Sequence, residues 1–190
     1  MSLESLKIAK EKIRKEILAR LRKQKEEDRF SKSLLILKKL FALPEFKRAK
    51  TILFYASFDG EVETLEMMKQ SLTLGKKIAL PSIHTKHKEI TPTYVHNLQE
   101  DLVLGSYGIK ESRHTGRYPV NCDEIDLSIV PGVAFDADNY RLGRGAGYYD
   151  RFLTRLSKEI PAIGLAFDFQ LVTRLPRQEH DIPMTHVVSN

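Results

Sequence analysis

The chain has 190 residues, 42% of them hydrophobic and 29% charged, with 31 Lys and Arg against 25 Asp and Glu for a net charge of +6. That length suits one domain whose core needs no disulfide or metal staple, and a single cysteine, Cys122, excludes an internal disulfide. Nothing reads as a secretory signal and no apolar run nears the ~18 residues of a membrane span, so the expectation is a soluble cytoplasmic protein without a membrane partner.

Leu6, Ile13, Ile17 and Leu21 recur at helical spacing and predict an amphipathic helix over about residues 3–25. Between Lys7 and Lys25, nine basic residues face only Glu11 and Glu16, a local +7 that leaves −1 for the rest of the chain. Lys7, Lys10 and Arg14 share one stripe beside the apolar face. Such a stripe attracts nucleic acid, membrane lipid or nucleotide, or is simply solvated. It carries no aromatic residue, so the stacking platform of single-strand binding is missing. A second helix is expected to start near Ser31 as N-cap, to bury Leu34, Leu37 and Phe41, and to end at Pro44. A buried strand over 51–56 follows, then the loop SFDGEVE. A helix with Leu65, Met68 and Leu72 comes next, closed by Gly75, and then a strand over 77–80 stopped by Pro81. Strand, helix, strand implies a right-handed parallel crossover.

Residues 82–121 are irregular, with prolines, histidines and isolated glycines that suggest short strands and loops. A strand over 127–130, a long glycine loop, a helix over about 148–157 and a strand over 162–166 form a second crossover unit. Continuous apolar strands in two such units predict a single α/β domain with an open, mostly parallel sheet and helices on both faces. Ligands in such sheets bind beyond the carboxyl ends of the strands. The loop with Asp59 and Glu61 and the glycine loop both leave from that edge.

The stretch RLGRGAGYYDRF, residues 141–152, is the most informative. Gly143, Gly145 and Gly147 permit positive φ and let backbone N–H groups converge on an anion. Arg141 and Arg144 supply guanidinium forks suited to phosphate. Asp150 falls in the first turn of the next helix, where a carboxylate close to phosphate needs a cation such as Mg²⁺ between them. The stretch is neither a Walker A loop nor a Rossmann fingerprint. The histidines, His84, His87, His180 and His186 among them, read as exposed or hydrogen-bonded loop residues rather than zinc ligands, and Met67 and Met68 as helix packing.

Four pieces carry a family resemblance: Lys10 and Arg14 as KxxxR, FYASFDGEVET at 54–64, YGIKES at 107–112, and DLSIVPGVAFDADNYRLGRGAGYYDRFL at 126–153. In this order and over nearly the whole chain they resemble the 5-formyltetrahydrofolate cyclo-ligase, or methenyltetrahydrofolate synthetase, family. The resemblance implies an enzyme that uses ATP and Mg²⁺ to convert 5-formyltetrahydrofolate to 5,10-methenyltetrahydrofolate, releasing ADP and phosphate. The formyl oxygen is phosphorylated and the 10-nitrogen then closes the ring, with no covalent enzyme nucleophile. By the same match, Lys10, Arg14, Arg141, Leu142, Gly143, Arg144, Gly145, Ala146, Gly147, Tyr148 and Tyr149 are the ATP positions. Tyr55, Ala56 and Glu61, with Arg144 to Tyr148, are the folate positions, and Phe54 faces the core. Arg144 and Tyr148 take the catalytic positions, and Asp150 and Asp181 the metal. The expected partners are the two small molecules, with no nucleic acid, and the expected state is a monomer.

Three residues depart from the family pattern. Ser82 stands where arginine is frequent, removing a contact to an anionic group; Ser112 replaces a proline and Asn139 a glycine, both as turn variants. Two other readings remain open on sequence alone: a non-catalytic ATP- or folate-binding regulator, and a nucleic-acid-binding module built on the basic helix.

Overall fold

The computed structural model describes residues 2–105, 110–113, 118–178 and 181–190. The expectations on Tyr107, Gly108, Ile109 and His180 fall outside them. Helix α1 (Leu3–Lys23) is capped by Ser2, whose hydroxyl accepts the Ser5 N–H at 3.2 Å. Its apolar stripe buries Ile17 and Leu21. Helix α2 (Glu26–Ala42) begins at Glu26 rather than near Ser31. Glu26, Glu27 and Asp28 fill its first turn, where the unpaired N–H groups favour negative charge. Ser31 is therefore an interior residue on the exposed face. Pro44 does end α2, and it also opens helix α3 (Pro44–Arg48), since a first-turn residue needs no N–H.

Strands β1 (Thr51–Leu53), β2 (Lys77–His84), β3 (Glu89–Val95), β6 (Leu127–Val130), β9 (Ala162–Ala166) and β11 (His186–Ser189) form the central sheet in the order β11-β9-β6-β1-β2-β3. All neighbours are parallel except β2 and β3, which form an antiparallel hairpin at one edge. Helix α4 (Leu65–Thr73) links β1 to β2, and helix α5 (Tyr148–Leu153) precedes β9. Two small sheets, β4 (Leu102–Leu104) with β5 (Lys110–Ser112), and β10 (Leu171–Val172) with β7 (Ala134–Asp136) and β8 (Arg141–Leu142), lie outside it. Among the described residues no helix is long and apolar enough to cross a membrane.

Alternation along the strands places the helices. Ile52, Ile78, Leu80, Leu127, Ile129, Ile163 and Leu165 join the core that includes Ile17, Leu21, Leu37, Phe46, Met67 and Met68, so α1 to α4 cover one face. Leu53, Ala79, Val130, Ala162 and Ala166 pack with Phe152 and Leu153 of α5 on the other. The sheet is thus mostly parallel and covered on both faces, as expected.

Three further boundaries differ from the sequence reading. The first strand ends at Leu53, because the following loop takes over its hydrogen bonds: Thr64 Oγ1 donates to Tyr55 O at 2.6 Å and accepts from Ser57 N at 3.3 Å. Strand β2 runs through Pro81 to His84. Pro81 lies beyond the last residue that β1 pairs, and Pro92 opposite it turns its carbonyl outward to Val120 N–H at 2.9 Å, so the ladder calls for no N–H from either proline. Helix α5 stops at Leu153, four residues before Ser157; the chain tightens there into three-residue turns, with Arg155 N bonded to Phe152 O and Leu156 N to Leu153 O.

The loop between β1 and α4 depends on Gly60, which has φ 84° and would place a Cβ 2.3 Å from Leu21 O of α1. Gly60→Ala is expected to destabilise the protein by about 2 kcal/mol or more, through positive φ and this backbone clash. Urea unfolding checks it; an unchanged midpoint contradicts the packing of this loop against α1.

Candidate active site

The carboxyl ends of β1, β2 and β6 open onto two adjoining cavities. One, of about 380 Å³, is walled by Tyr55, Ala56, Phe58, Pro81, Ile83, Ile90, Val133, Ala146, Tyr148 and Tyr149, with Glu61 as its acid. The other, of about 610 Å³, lies against α1 and is lined by Lys7, Lys10, Glu11, Arg14, Leu142, Gly145, Gln178 and Asp181. Arg141, Gly143, Arg144, Gly147 and Asp150 line both. The glycine loop is therefore a partition between an apolar and a polar compartment.

Each glycine serves the partition differently. Gly145 and Gly147 have φ of 106° and 70°, which side chains rarely tolerate. Gly143 does not; its missing Cβ instead leaves room for Arg141 Nη1, 2.8 Å from where that atom would stand. Asn139, just upstream, has φ 64°, a conformation asparagine tolerates. Because α5 has only six residues, the cationic side chains supply most of the positive potential here, and the helix terminus little.

Every loop cation is held by an acid. Arg141, with 4% of its side chain exposed, pairs with Asp150 and donates to Pro131 O at 3.3 Å. Arg144 reaches Glu61 at 3.1 Å and Asp59 at 2.9 Å, with its guanidinium 4.1 Å above the Phe58 ring. From α1, Lys10 pairs with Asp181 at 3.0 Å and lies 3.3 Å from Gln178 Oε1, while Arg14 Nε donates to Gly143 O at 2.9 Å. Arg22, bonded to both oxygens of Asp59, and then Arg144 hold that carboxyl below its usual range. Burial acts the opposite way on Glu61: it pushes the pKa from 4.5 up to about 7, against the opposing pull of Arg144. Burial also raises the phenols of Tyr55 and Tyr149, and the charge of Glu61 adds to both. Among the described residues, two buried polar atoms at the partition have no partner, Tyr149 Oη and Arg141 Nε. Unpaired donors of this kind are costly and mark where a ligand would bond.

The structure brings all the sequence-named residues to these two cavities, and it sorts them. Lys10, Arg14, Leu142, Gly145 and Asp181 face the polar one; Tyr55, Ala56, Glu61, Ala146, Tyr148 and Tyr149 face the apolar one. Ala146, Tyr148 and Tyr149 thus lie away from the α1 side. Phe54 is fully buried in the core, as expected. Ser82 points to neither cavity; its hydroxyl lies 3.1 Å from that of Thr93, buried across the hairpin. Phe58, Gln178 and the hairpin residues Ile83 and Ile90 were not singled out by sequence, since aromatic and aliphatic walls carry no motif. Gln178 lies in the same QEHDIP segment as Asp181.

Among the described residues no three His, Cys, Asp or Glu side chains cluster to hold a metal. Asp150 and Asp181 nevertheless fit a magnesium site of the kind completed by phosphate oxygens, which takes only one or two protein carboxylates. Both are hard oxygen donors on the polar cavity, and both are now paired with cations that phosphate could draw away.

Fold and site together define the class: an open-sheet α/β protein with an arginine- and glycine-rich loop at the sheet's carboxyl edge. The chain belongs to the 5-formyltetrahydrofolate cyclo-ligase family, whose model matches residues 6–190. It is 34% identical over 152 residues to the 5-formyltetrahydrofolate cyclo-ligase of Escherichia coli K12, covering 80% of this chain and 84% of that one. With the Mus musculus cyclo-ligase it shares 30% identity over 196 residues, 99% and 97% of the two chains. The NMR structure of Aquifex aeolicus 5,10-methenyltetrahydrofolate synthetase superimposes with a TM-score of 0.82 at 37% identity, over 95% of this chain and 89% of that one. The Mycoplasma pneumoniae synthetase gives 0.76 at 25% identity, over 94% and 97%.

A cavity lined by Lys7, Lys10, Arg14, Arg141 and Arg144 should bind polyanions. Inorganic tripolyphosphate at about one hundred times its Kd is expected to stabilise the folded chain by about 2.7 kcal/mol. Differential scanning fluorimetry should show the shift fade with added salt and vanish in Lys10→Ala/Arg14→Ala; a shift that survives the double substitution places the anion elsewhere.

Proposed function

We propose that the chain closes 5-formyltetrahydrofolate to 5,10-methenyltetrahydrofolate at the expense of ATP, with the pterin in the apolar cavity and the triphosphate in the polar one. The observation that carries this reading is the shared wall: the same arginines and glycines line both compartments, so the formyl oxygen and the γ-phosphate can meet at the loop. Family membership supports the substrate.

In this reading Glu61 accepts hydrogen bonds from the pterin amino and ring N–H groups at one end, against the walls of Tyr55 and Ala56. Lys10 and Arg14 bring the charge of α1 onto the phosphates, and Arg141 and Arg144 neutralise the transferring phosphoryl group between the two substrates. Mg²⁺ held by Asp150 and Asp181 with the phosphate oxygens supplies further charge neutralisation when bound. The formyl oxygen attacks the γ-phosphorus and ADP departs. The 10-nitrogen then attacks the activated formyl carbon and loses its proton, and the carbon–oxygen bond breaks to release phosphate. Tyr148, on the apolar wall, orients the folate at this point. Rate acceleration comes from alignment and charge stabilisation, with no enzyme nucleophile.

Ligand binding is then an exchange of partners. Lys10 and Arg141 leave Asp181 and Asp150 for phosphate, and the freed carboxylates would be the residues that hold Mg²⁺. Arg144 leaves Glu61, which turns to the pterin. Such swaps keep each buried charge compensated, which limits the cost of desolvation.

Growth of methenyl absorbance on adding ATP, Mg²⁺ and 5-formyltetrahydrofolate to the pure protein is the direct test; its absence without ATP is equally required. Lys10→Ala should raise the KM for ATP by the equivalent of about 1.5–3 kcal/mol, and Glu61→Ala should weaken folate while leaving ATP nearly unaffected. Asp150→Asn should abolish turnover yet spare folate binding, whereas unchanged turnover removes Asp150 from the chemistry.

The raised pKa of Glu61 adds a pH dependence. The acid form prevails below about 7 and the carboxylate above it, so folate KM should fall as pH rises through about 7. Glu61→Gln should flatten that profile; a wild-type profile already flat between pH 6 and 8 contradicts an accepting carboxylate.

A further inference from the structure

Asp136, at the end of β7, lies outside both cavities and takes no part in the chemistry proposed above, yet it is the most heavily bonded acid in this region. Its side chain is fully buried. Oδ1 accepts the N–H groups of Asp138 and Tyr140 at 3.1 and 3.0 Å. Oδ2 accepts Leu175 N–H at 3.0 Å and both Arg177 Nε at 3.2 Å and Arg177 Nη2 at 2.8 Å. Burial alone would raise its pKa, but the bonds from Leu175, Arg177 and Tyr140 outweigh that and hold it below the ordinary carboxylate value.

The two oxygens serve two different walls. The Oδ1 bonds fix the turn around Asn139, from which the chain runs directly into Arg141 and the glycine loop. The Oδ2 bonds fasten the segment after β10, in which Gln178 and Asp181 follow Arg177. Arg177 is gripped further by Asp138 and by the Tyr140 ring, 4.1 Å from its guanidinium. Beyond Asp181 the segment is tied back to the same turn by Met184 N–H on Asn139 O at 2.9 Å. Within it, Asp181 Oδ2 accepts Gln178 N–H at 2.8 Å and Lys10 Nζ at 3.0 Å.

We infer that Asp136 and Arg177 are positioning residues that lock the glycine-loop wall of the polar cavity to the wall that carries Gln178 and Asp181, one carboxylate oxygen to each. The inference rests on the polyphosphate reading of that cavity. A carboxylate is required because five donors converge on it. Asparagine would keep one acceptor oxygen and turn an NH₂ toward the N–H groups of the other wall. Arginine brings two nitrogens, Nε and Nη2, to Asp136 Oδ2 while Nη2 also reaches Asp138, so the single ammonium of lysine loses one of the three contacts.

The test separates positioning from general damage by measuring both ligands. Isothermal titration with a non-hydrolysable ATP analogue and Mg²⁺, and separately with 5-formyltetrahydrofolate, is run on wild type, Asp136→Asn, Arg177→Met and Arg177→Lys. Nucleotide Kd is expected to rise at least about tenfold in Asp136→Asn and Arg177→Met, and less in Arg177→Lys, while folate Kd stays within about twofold. Unchanged nucleotide affinity in folded variants, or equal losses for both ligands, overturns the inference. Should Asp136→Asn fail to fold, Arg177→Met decides, since that side chain is 24% exposed and its loss leaves no cavity in the core. Wild type that binds no nucleotide overturns this inference along with the reading beneath it, whereas wild type that binds, with variants that match it, overturns this inference alone.

Discussion

The site depends on one constraint: strongly basic side chains drawn to the edge of an apolar sheet must stay compensated when no ligand is there. Arg141 is almost wholly buried, and without Asp150 its permanent charge would lie uncompensated at the sheet edge. Arg144 divides itself between Glu61 and Asp59, and Lys10 leans on Asp181. Removing one partner from a buried pair costs far more than the pair is worth in stability, so cations and acids have to be present together and have to change partners together. That requirement explains why so many of the acids at the two cavities are also the residues assigned to ligands. Under the proposed function they are place-holders for phosphate, and the cations are place-holders for metal and pterin.

The fold supplies the geometry that such an exchange needs. Alternation along the parallel strands sends four helices to one face and α5 to the other, so α1 comes to rest beside the loop that enters α5. The charge concentrated in the first helix, whose stripe looks merely solvated in isolation, becomes one wall of a cavity. The hairpin of β2 and β3 closes the apolar side with Ile83 and Ile90. Neither compartment is made by a single element. Within the loop, Gly143, Arg144 and Gly147 line both compartments, which is why substitutions at these positions should affect both substrates.

Much of this was legible in the sequence, and the parts that were not share a cause. Continuous apolar runs at Leu127–Val130 and Ala162–Ala166 gave the parallel strands, and the glycine, arginine and tyrosine run located the loop. Local residue chemistry carries those features. The start of α2 was misplaced because serine is a good cap, yet three acids before Ser31 already satisfied a helix N-terminus. Pro81 looked like a strand end because a proline removes a donor, a loss that matters only where a neighbour would accept it. The sorting of Tyr148 and Tyr149 onto the apolar side, the stacking of Phe58 on Arg144, and the tie between Asp136 and Arg177 all join residues far apart in the chain or turn on which way a side chain points. Spacing alone cannot express them.

Under the proposed function, nucleotide phosphates and folate lie on opposite sides of the glycine loop. A crystal structure with a non-hydrolysable ATP analogue, magnesium and 5-formyltetrahydrofolate bound tests it most directly. The γ-phosphate should lie between Lys10, Arg14 and Arg144, the pterin against Glu61, and the formyl oxygen should face phosphorus across the loop. Phosphates lodged among Ile83, Ile90 and Tyr148, or found outside both cavities with Lys10 still paired to Asp181, would contradict it.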